Sequence, residues 1–340
     1  MNSLENISRR SFITQSGTAL AILSIPTNIK ALINNTNSMN DKKTFDVIII
    51  GGSYSGLAAG MALGRALKKV LIIDNGQPSN IQTPFSHNFI THDGKTPKEI
   101  AKLARQQVEK YNTVDFLNAT VTGGKKVQGI FEIEIQNGNV LRAKKIIFAT
   151  GITDIMPDIE GFSECWGISA LHCPYCHGYE VKNEATGVLG NGPSGYEFTM
   201  LISNWAKDLT LYTNGPSTLT EDQKRKLKKH NIGLVETEIL KLEHSKGYLN
   251  CIRFKDGSDA PIKALYSKRP FKQHCDLPEK LGCELNDEGY IRTNPFQRTT
   301  VDGVYACGDN VTRMRTIANV VAMGTTAGMM VNKELVEENF

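Results

Sequence analysis

The chain has 340 residues, 40% of them hydrophobic and 22% charged, with a formal net charge of +4. That length holds two domains with cores of their own, and no uninterrupted apolar run approaches the roughly eighteen residues of a membrane span. Lysines scattered through a near-neutral chain leave no basic footprint for nucleic acid.

Residues 1–43 read as an address. Ser8-Arg9-Arg10-Ser11-Phe12-Ile13 matches the twin-arginine pattern, and a weakly apolar stretch from Gly17 to Ile25 and a polar tail to Lys43 follow. The expectation is an exported protein, periplasmic or extracytoplasmic. The alternative is a disordered basic leader on a cytoplasmic one.

From Asp46 to Ile50 the chain is almost continuously apolar, as a parallel strand covered on both faces should be. It enters the turn Gly51, Gly52, Ser53, Tyr54, Ser55 and Gly56, small at every position but Tyr54, then a helix-prone stretch from Leu57 to Leu67. A second strand, Val70 to Ile73, ends in Asp74. This is the order of a Rossmann unit. Its small residues admit a pyrophosphate, its helix N-terminus faces the charge, and its acid accepts from a ribose. The alternative is a plain tight turn. Farther on, Lys145 to Phe148 reads as a buried strand ending in the small turn Ala149, Thr150 and Gly151.

The central segment is His172-Cys173-Pro174-Tyr175-Cys176-His177. Two cysteines at this spacing close into a disulfide, and neighbouring dipoles or cations make one of them a thiolate near neutral pH. His172 and His177 are candidate proton carriers, and a cationic histidine would lower a thiol pKa. Plain solvent exposure is the other expectation for both. A zinc site is disfavoured, because His172 adjoins Cys173 and Cys176 adjoins His177, and adjacent ligands seldom reach one tetrahedral ion. No metal is expected. Cys165, Cys251, Cys275, Cys283 and Cys307 read as structural thiols, with Cys275 and Cys283 a candidate pair in an oxidising compartment.

A second glycine turn, Gly190, Gly192 and Gly195, follows the short strand Gly187 to Leu189. The next strand, Leu209 to Tyr212, ends in Thr213-Asn214-Gly215, with neither an acid for ribose hydroxyls nor an arginine for a 2′-phosphate. Thr220 and Gln223 mark a helix start, and the lysines and arginine from Lys224 to Lys229 read as its solvated face. The last unit is a strand from Thr300 ending in Gly308-Asp309, then a helix from Thr316 to Met330.

With these motifs in this order, the chain from about residue 44 to 340 resembles the low-molecular-weight thioredoxin reductase family. The resemblance implies an α/β fold of two Rossmann-like dinucleotide-binding domains, the second inserted into the first. It would place an FAD domain at 44–156 and 268–340, and an NAD(P)-type domain carrying the CxxC pair at 157–267. It implies FAD at Gly51, Gly52, Ser53, Ser55, Gly56, Asp74, Thr150, Gly151 and Asp309, with Asp309 on the ribityl chain and Asn88 contacting the flavin. It also implies a homodimer, Cys176 facing the flavin, and Cys173 attacking an outside partner.

The string from Cys173 to Glu180 is similar to that of the family's dithiol oxidase branch, with His177 where the reductases carry an acid. NADPH-specific members have His-Arg-Arg where this chain has Thr213-Asn214-Gly215. They have Arg-Gln-Ala where it has Thr316, Ile317 and Ala318. These departures disfavour NAD(P)H despite Gly190, Gly192 and Gly195, unless Lys224 or Arg225 takes the phosphate. The expectation is an FAD-dependent thiol–disulfide oxidoreductase that oxidises a dithiol, a small molecule or a thioredoxin-like protein, with oxygen as acceptor. The alternatives are an NAD(P)H-dependent disulfide reductase and a non-catalytic flavin-binding protein with an idle dithiol.

Overall fold

A computed structural model describes residues 44–340, so the twin-arginine segment lies outside the described residues. β1 (Thr44–Ile50) leads into α1 (Tyr54–Arg65), and β2 (Val70–Asp74) returns parallel to β1 with Val47 beside Val70. α2 (Pro97–Val108) starts at a capping box between Thr96 and Glu99 and crosses to β3 (Val114–Asn118). β4 (Val121–Val127), β5 (Ile130–Ile135) and β6 (Val140–Phe148) run antiparallel in succession. β6 is long enough to pair with β5 through its first half and still lie parallel to β1 through its second.

The apolar run of β1 has a direct cause in packing. Ile48 and Ile50 face one buried cluster with Phe131 and Phe148, while Val47 and Ile49 face another with Leu57, Leu63 and Val331. Both faces are covered, so every second residue cannot be polar.

The chain leaves this sheet through β7 (Ile152–Asp154) and continues through α3 (Phe162–Cys165), β8 (Ala170–Leu171) and α4 (Pro174–His177). It then forms β9 (Thr186–Leu189), α5 (Gly192–Ile202), β10 (Leu209–Tyr212), α6 (Glu221–Lys229) and β11 (Gly233–Val235). An antiparallel meander of β12 (Ile239–Ser245), β13 (Tyr248–Phe254) and β14 (Asp259–Pro261) precedes β15 (Ala264–Ser267). The second sheet is parallel, in the order β11-β10-β9-β15-β8.

β16 (Phe271–Gln273) pairs antiparallel with β7, Phe271 beside Asp154, so the outgoing and returning strands form one ribbon. α7 (Leu277–Lys280) follows. β17 (Val304–Ala306) then joins the first sheet beside β6, and α8 (Ile317–Glu337) ends the described fold. The first sheet therefore has seven strands, closed by a strand that arrives after the whole second sheet. Two expected elements differ in extent. The final helix runs on to Glu337. The strand expected from Thr300 begins only at Val304, because Val304 N–H bonds the Val301 carbonyl in a turn with Gly303 at φ +80°.

Candidate functional site

At the carboxyl ends of β1 and β2 the first glycine turn is packed to contact. A Cβ on Gly51 would stand 2.2 Å from the Ala149 carbonyl oxygen, and one on Gly52 2.7 Å from Asp74 Cβ. Gly52 N–H donates to Asp74 Oδ1 at 3.1 Å, which brings the acid to the turn. Gly56 lies one helical turn on, where a Cβ would meet the Gly51 carbonyl oxygen at 1.9 Å. Ser53, at the N-cap of α1, makes no side-chain capping bond. The N-terminal N–H groups of that helix are thus left without a side-chain acceptor, a ready anion site.

A cavity of about 1570 Å³ opens from this turn. Gly51, Gly52, Ser53, Ser55, Asp74, Thr150, Gly151, Asp309 and Ile317 line it. Gly56 lies buried beneath the turn, and Thr316 serves as the N-cap of α8, accepting from Asn319 N–H. Ala318 is exposed. Asn88 is also exposed and is absent from the cavity lining; its left-handed φ of +58° and a 2.7 Å bond from its N–H to Asp93 hold it in a surface turn.

The cavity has the lining of a dinucleotide site, with Asp74, the first residues of α1 and Asp309 all bordering it. Burial pushes the Asp309 carboxyl up, opposed by the Arg315 guanidinium, whose Nε lies 3.3 Å from Asp309 Oδ2. Two lining residues carry buried polar atoms without a partner among the described residues, His172 Nε2 and Gln273 Oε1. An acidic acceptor, an uncapped helix end and orphaned polar atoms together suit FAD, and the residues present fit it.

The dithiol directly follows His172. Cys173 and Cys176 are joined as a disulfide, with Cα atoms 5.3 Å apart, and the disulfide adjoins the cavity without lining it. The other five cysteines are free. The candidate pair Cys275–Cys283 is not formed: Cys283 is buried against Thr299 Oγ1, and Cys275 lines the cavity instead.

Neither histidine is merely solvated. Burial pushes His172 down to about 3, helped by the positive charge of Arg315, and pushes His177 down to about 4, helped by His87. Both are therefore neutral near pH 7. The expected cationic effect on the thiols is absent, and two neutral imidazoles stand in its place. His87 was not singled out from the sequence. Its Nδ1 lies 3.6 Å from Glu180 and 3.7 Å from Asp93, tying the 86–95 loop to the dithiol segment.

The second glycine turn is built differently. Gly190 and Gly195 pack on each other as in the first, but the N-cap of α5 is Asn191, and its side chain fills the helix end. Asn191 Oδ1 accepts from Gly192 N–H at 2.8 Å and Thr218 N–H at 2.9 Å, while Nδ2 donates to the Pro216 carbonyl. Thr213 Oγ1 donates to the Gly215 carbonyl, and Asn214 Oδ1 accepts from Ile239 N–H. Lys224 and Arg225 pair with Glu221 and Asp222 on their own helix, as the expected solvated face.

Comparison with known proteins agrees with this geometry. The family described as pyridine nucleotide-disulphide oxidoreductase matches residues 45–324. The thioredoxin reductase tcpT of Claviceps purpurea is 32% identical over 88% of this chain and 97% of its own length. The crystal structure of a putative thioredoxin reductase TrxB from Bacillus anthracis superposes with a TM-score of 0.83 at 30% identity, covering 87% of this chain and 100% of that one. An oxidoreductase from Agrobacterium tumefaciens gives 0.82 at 35% identity, covering 87% and 99%.

Proposed function

The chain belongs to the pyridine nucleotide-disulphide oxidoreductase family as an FAD-dependent disulfide oxidoreductase of the thioredoxin reductase-like class, and we propose that it works as a dithiol oxidase. The observation that carries this reading is the contrast between the two glycine turns. The first leaves its helix N-terminus without a side-chain cap at the cavity, whereas at the second Asn191 Oδ1 accepts from Gly192 N–H and Thr218 N–H and Asn191 Nδ2 donates to the Pro216 carbonyl. A nicotinamide dinucleotide would meet that capped turn, and Thr213-Asn214-Gly215 itself offers no cationic side chain to a 2′-phosphate.

In this mechanism a substrate thiolate attacks Cys173 Sγ, the Cys173–Cys176 bond breaks, and Cys176 leaves as a thiolate. His177, neutral at working pH, takes the proton of the second substrate thiol. That thiol attacks the substrate sulfur of the mixed disulfide and displaces Cys173. The substrate departs as a disulfide and the cysteine pair is left reduced. Gly51, Gly52, Asp74, Thr150 and Asp309 would hold FAD. When bound, FAD supplies the two-electron acceptance that restores the Cys173–Cys176 bond and, with dioxygen as terminal acceptor, gives hydrogen peroxide. Cys173 and Cys176 are both half-buried, and Tyr175 between them is exposed, which supports access by an outside thiol.

Anaerobic titration of the purified flavoprotein tests the direction of electron flow. Dithiothreitol should bleach the flavin absorbance readily and NADPH only slowly, and admitted oxygen should restore colour with peroxide in proportion to dithiol consumed. Rapid, saturable reduction by micromolar NADPH would overturn the reading in favour of a disulfide reductase.

A further inference from the structure

Arg315, between Asp309 and α8, has its guanidinium shut between two carboxylates. The side chains of Arg315 and Asp154 are only 12% and 8% exposed. Nη1 and Nη2 meet Asp154 Oδ1 and Oδ2 at 2.8 and 3.0 Å, a bidentate pair, and Nε reaches Asp309 Oδ2 at 3.3 Å. Asp154 Oδ2 accepts a further bond from Trp166 Nε1 at 3.3 Å. The Trp166 indole packs 5.9 Å from the His172 ring, and its carbonyl accepts from Gln82 Nε2 of the first-sheet side. His172 is the residue before Cys173.

One continuous set of contacts therefore runs from the acid of the cofactor cavity, through the ribbon strand β7, to the residue that precedes the dithiol. A buried ion pair is poor evidence of stability, because desolvation offsets most of its attraction. Its fork geometry does fix orientation, and a lysine could not reproduce three directed bonds.

We propose that Arg315 is a positioning residue: through Asp154 and Trp166 it latches the His172–Cys176 segment in place against the cofactor cavity. The latch couples two events. When Asp309 is engaged by the cofactor, Arg315 is held; when Arg315 is held, Asp154 and Trp166 fix the approach of the cysteines. The spectral arm of the test rests on the reading that Cys176 faces bound FAD; the first arm does not.

The first arm measures how fast a water-soluble phosphine opens Cys173–Cys176 in the holoprotein, with the freed thiols counted by alkylation and mass spectrometry. Arg315→Gln, Asp154→Asn and Trp166→Phe should each open severalfold faster than the parent, and Arg315→Lys should rescue only in part. Trp166→Phe removes a single hydrogen bond and keeps an aromatic ring, so it reports even where the charge variants fold poorly. Parent-like rates in Trp166→Phe and Asp154→Asn would overturn the latch.

The second arm places Trp166→Phe in a Cys173→Ser background and follows the long-wavelength band of a thiolate against flavin at constant bound FAD. A weakened or shifted band supports the latch, and an unchanged one counts against it. If Cys173→Ser alone gives no band, the flavin-facing role of Cys176 fails, and the phosphine rates alone decide the latch.

Discussion

Gly324 of α8 lies so close to Ser55 of α1 that a Cβ on the glycine would stand 2.1 Å from the serine carbonyl oxygen. One turn on, a Cβ at Gly328 would meet the Ala59 carbonyl oxygen at 2.7 Å. The two helices therefore touch backbone to backbone, directly behind the residues that line the cavity. Gly324→Ala should cost about 1–3 kcal/mol through overpacking, read as a lower denaturant midpoint. Because Ser55 borders the cavity, bound flavin should fall with it. A parent-like midpoint would mean that the helices can separate freely.

Asp309→Ala should weaken flavin retention by roughly 1.5–3 kcal/mol, the worth of a hydrogen bond to a charged acceptor. It also strips Arg315 of one of its two carboxylates. Ultrafiltration of the yellow protein against buffer checks this, and full retention in the variant would remove Asp309 from the cofactor's contacts.

Cys176→Ser should keep FAD and lose all reduction by dithiols, since no other cysteine is paired with Cys173. Cys173→Ser should instead leave Cys176 as a lone thiol whose thiolate gives a long-wavelength band. Full dithiol-driven turnover in both single variants would take the pair out of the mechanism.

His177→Gln should slow turnover by about 10²–10⁴-fold, the usual contribution of a positioned acid–base group, with flavin content unchanged. The proton acceptor is lost while an uncharged polar side chain of similar reach remains. Turnover within a factor of two of the parent would pass the role to His172 or to solvent.

Acid should destabilise the fold through two histidines. Burial holds His172 at about 3 and His177 at about 4, against an ordinary value of 6.5. Above pH 6.5 both are neutral in the folded and unfolded chains and contribute no slope. As pH falls below 6.5 the unfolded chain binds protons that the folded one does not, so stability drops until the folded values are reached. Denaturant midpoints between pH 7 and 5 should decline, and less steeply in His172→Phe. Parallel slopes in the two proteins would show that His172 is solvated.

The strand–turn–helix–acid unit from Val47 to Asp74 was legible because a doubly covered strand writes a continuous apolar run and a close-packed turn writes glycines. The same logic found the second turn but not what fills it. Asn191 meets Pro216 and Thr218 across a loop, and no periodicity marks such a contact. Arg315 and Asp154 are separated by 161 residues and meet only because the ribbon of β7 and β16 returns beside the Asp309 loop. Asn88 was singled out by a family motif; its backbone N–H bonds Asp93 and it is exposed, a local setting the motif does not write. Cys275 and Cys283 carried no spacing signal to decide between pairing and burial, and burial against Thr299 decided it for Cys283.

The late arrival of β17 has a consequence for biogenesis. The cavity's glycine turn and Asp74 leave the ribosome early, but Asp309, Arg315 and the helix that backs Ser55 come only after the entire second sheet. Pairings this distant in sequence are slow to form, since loop closure must precede them. A nascent chain lacking β17 presents half a binding site, with the Ile146–Phe148 edge of β6 unpaired on one side. Cofactor loading is thereby deferred until β17 and α8 have been made and packed.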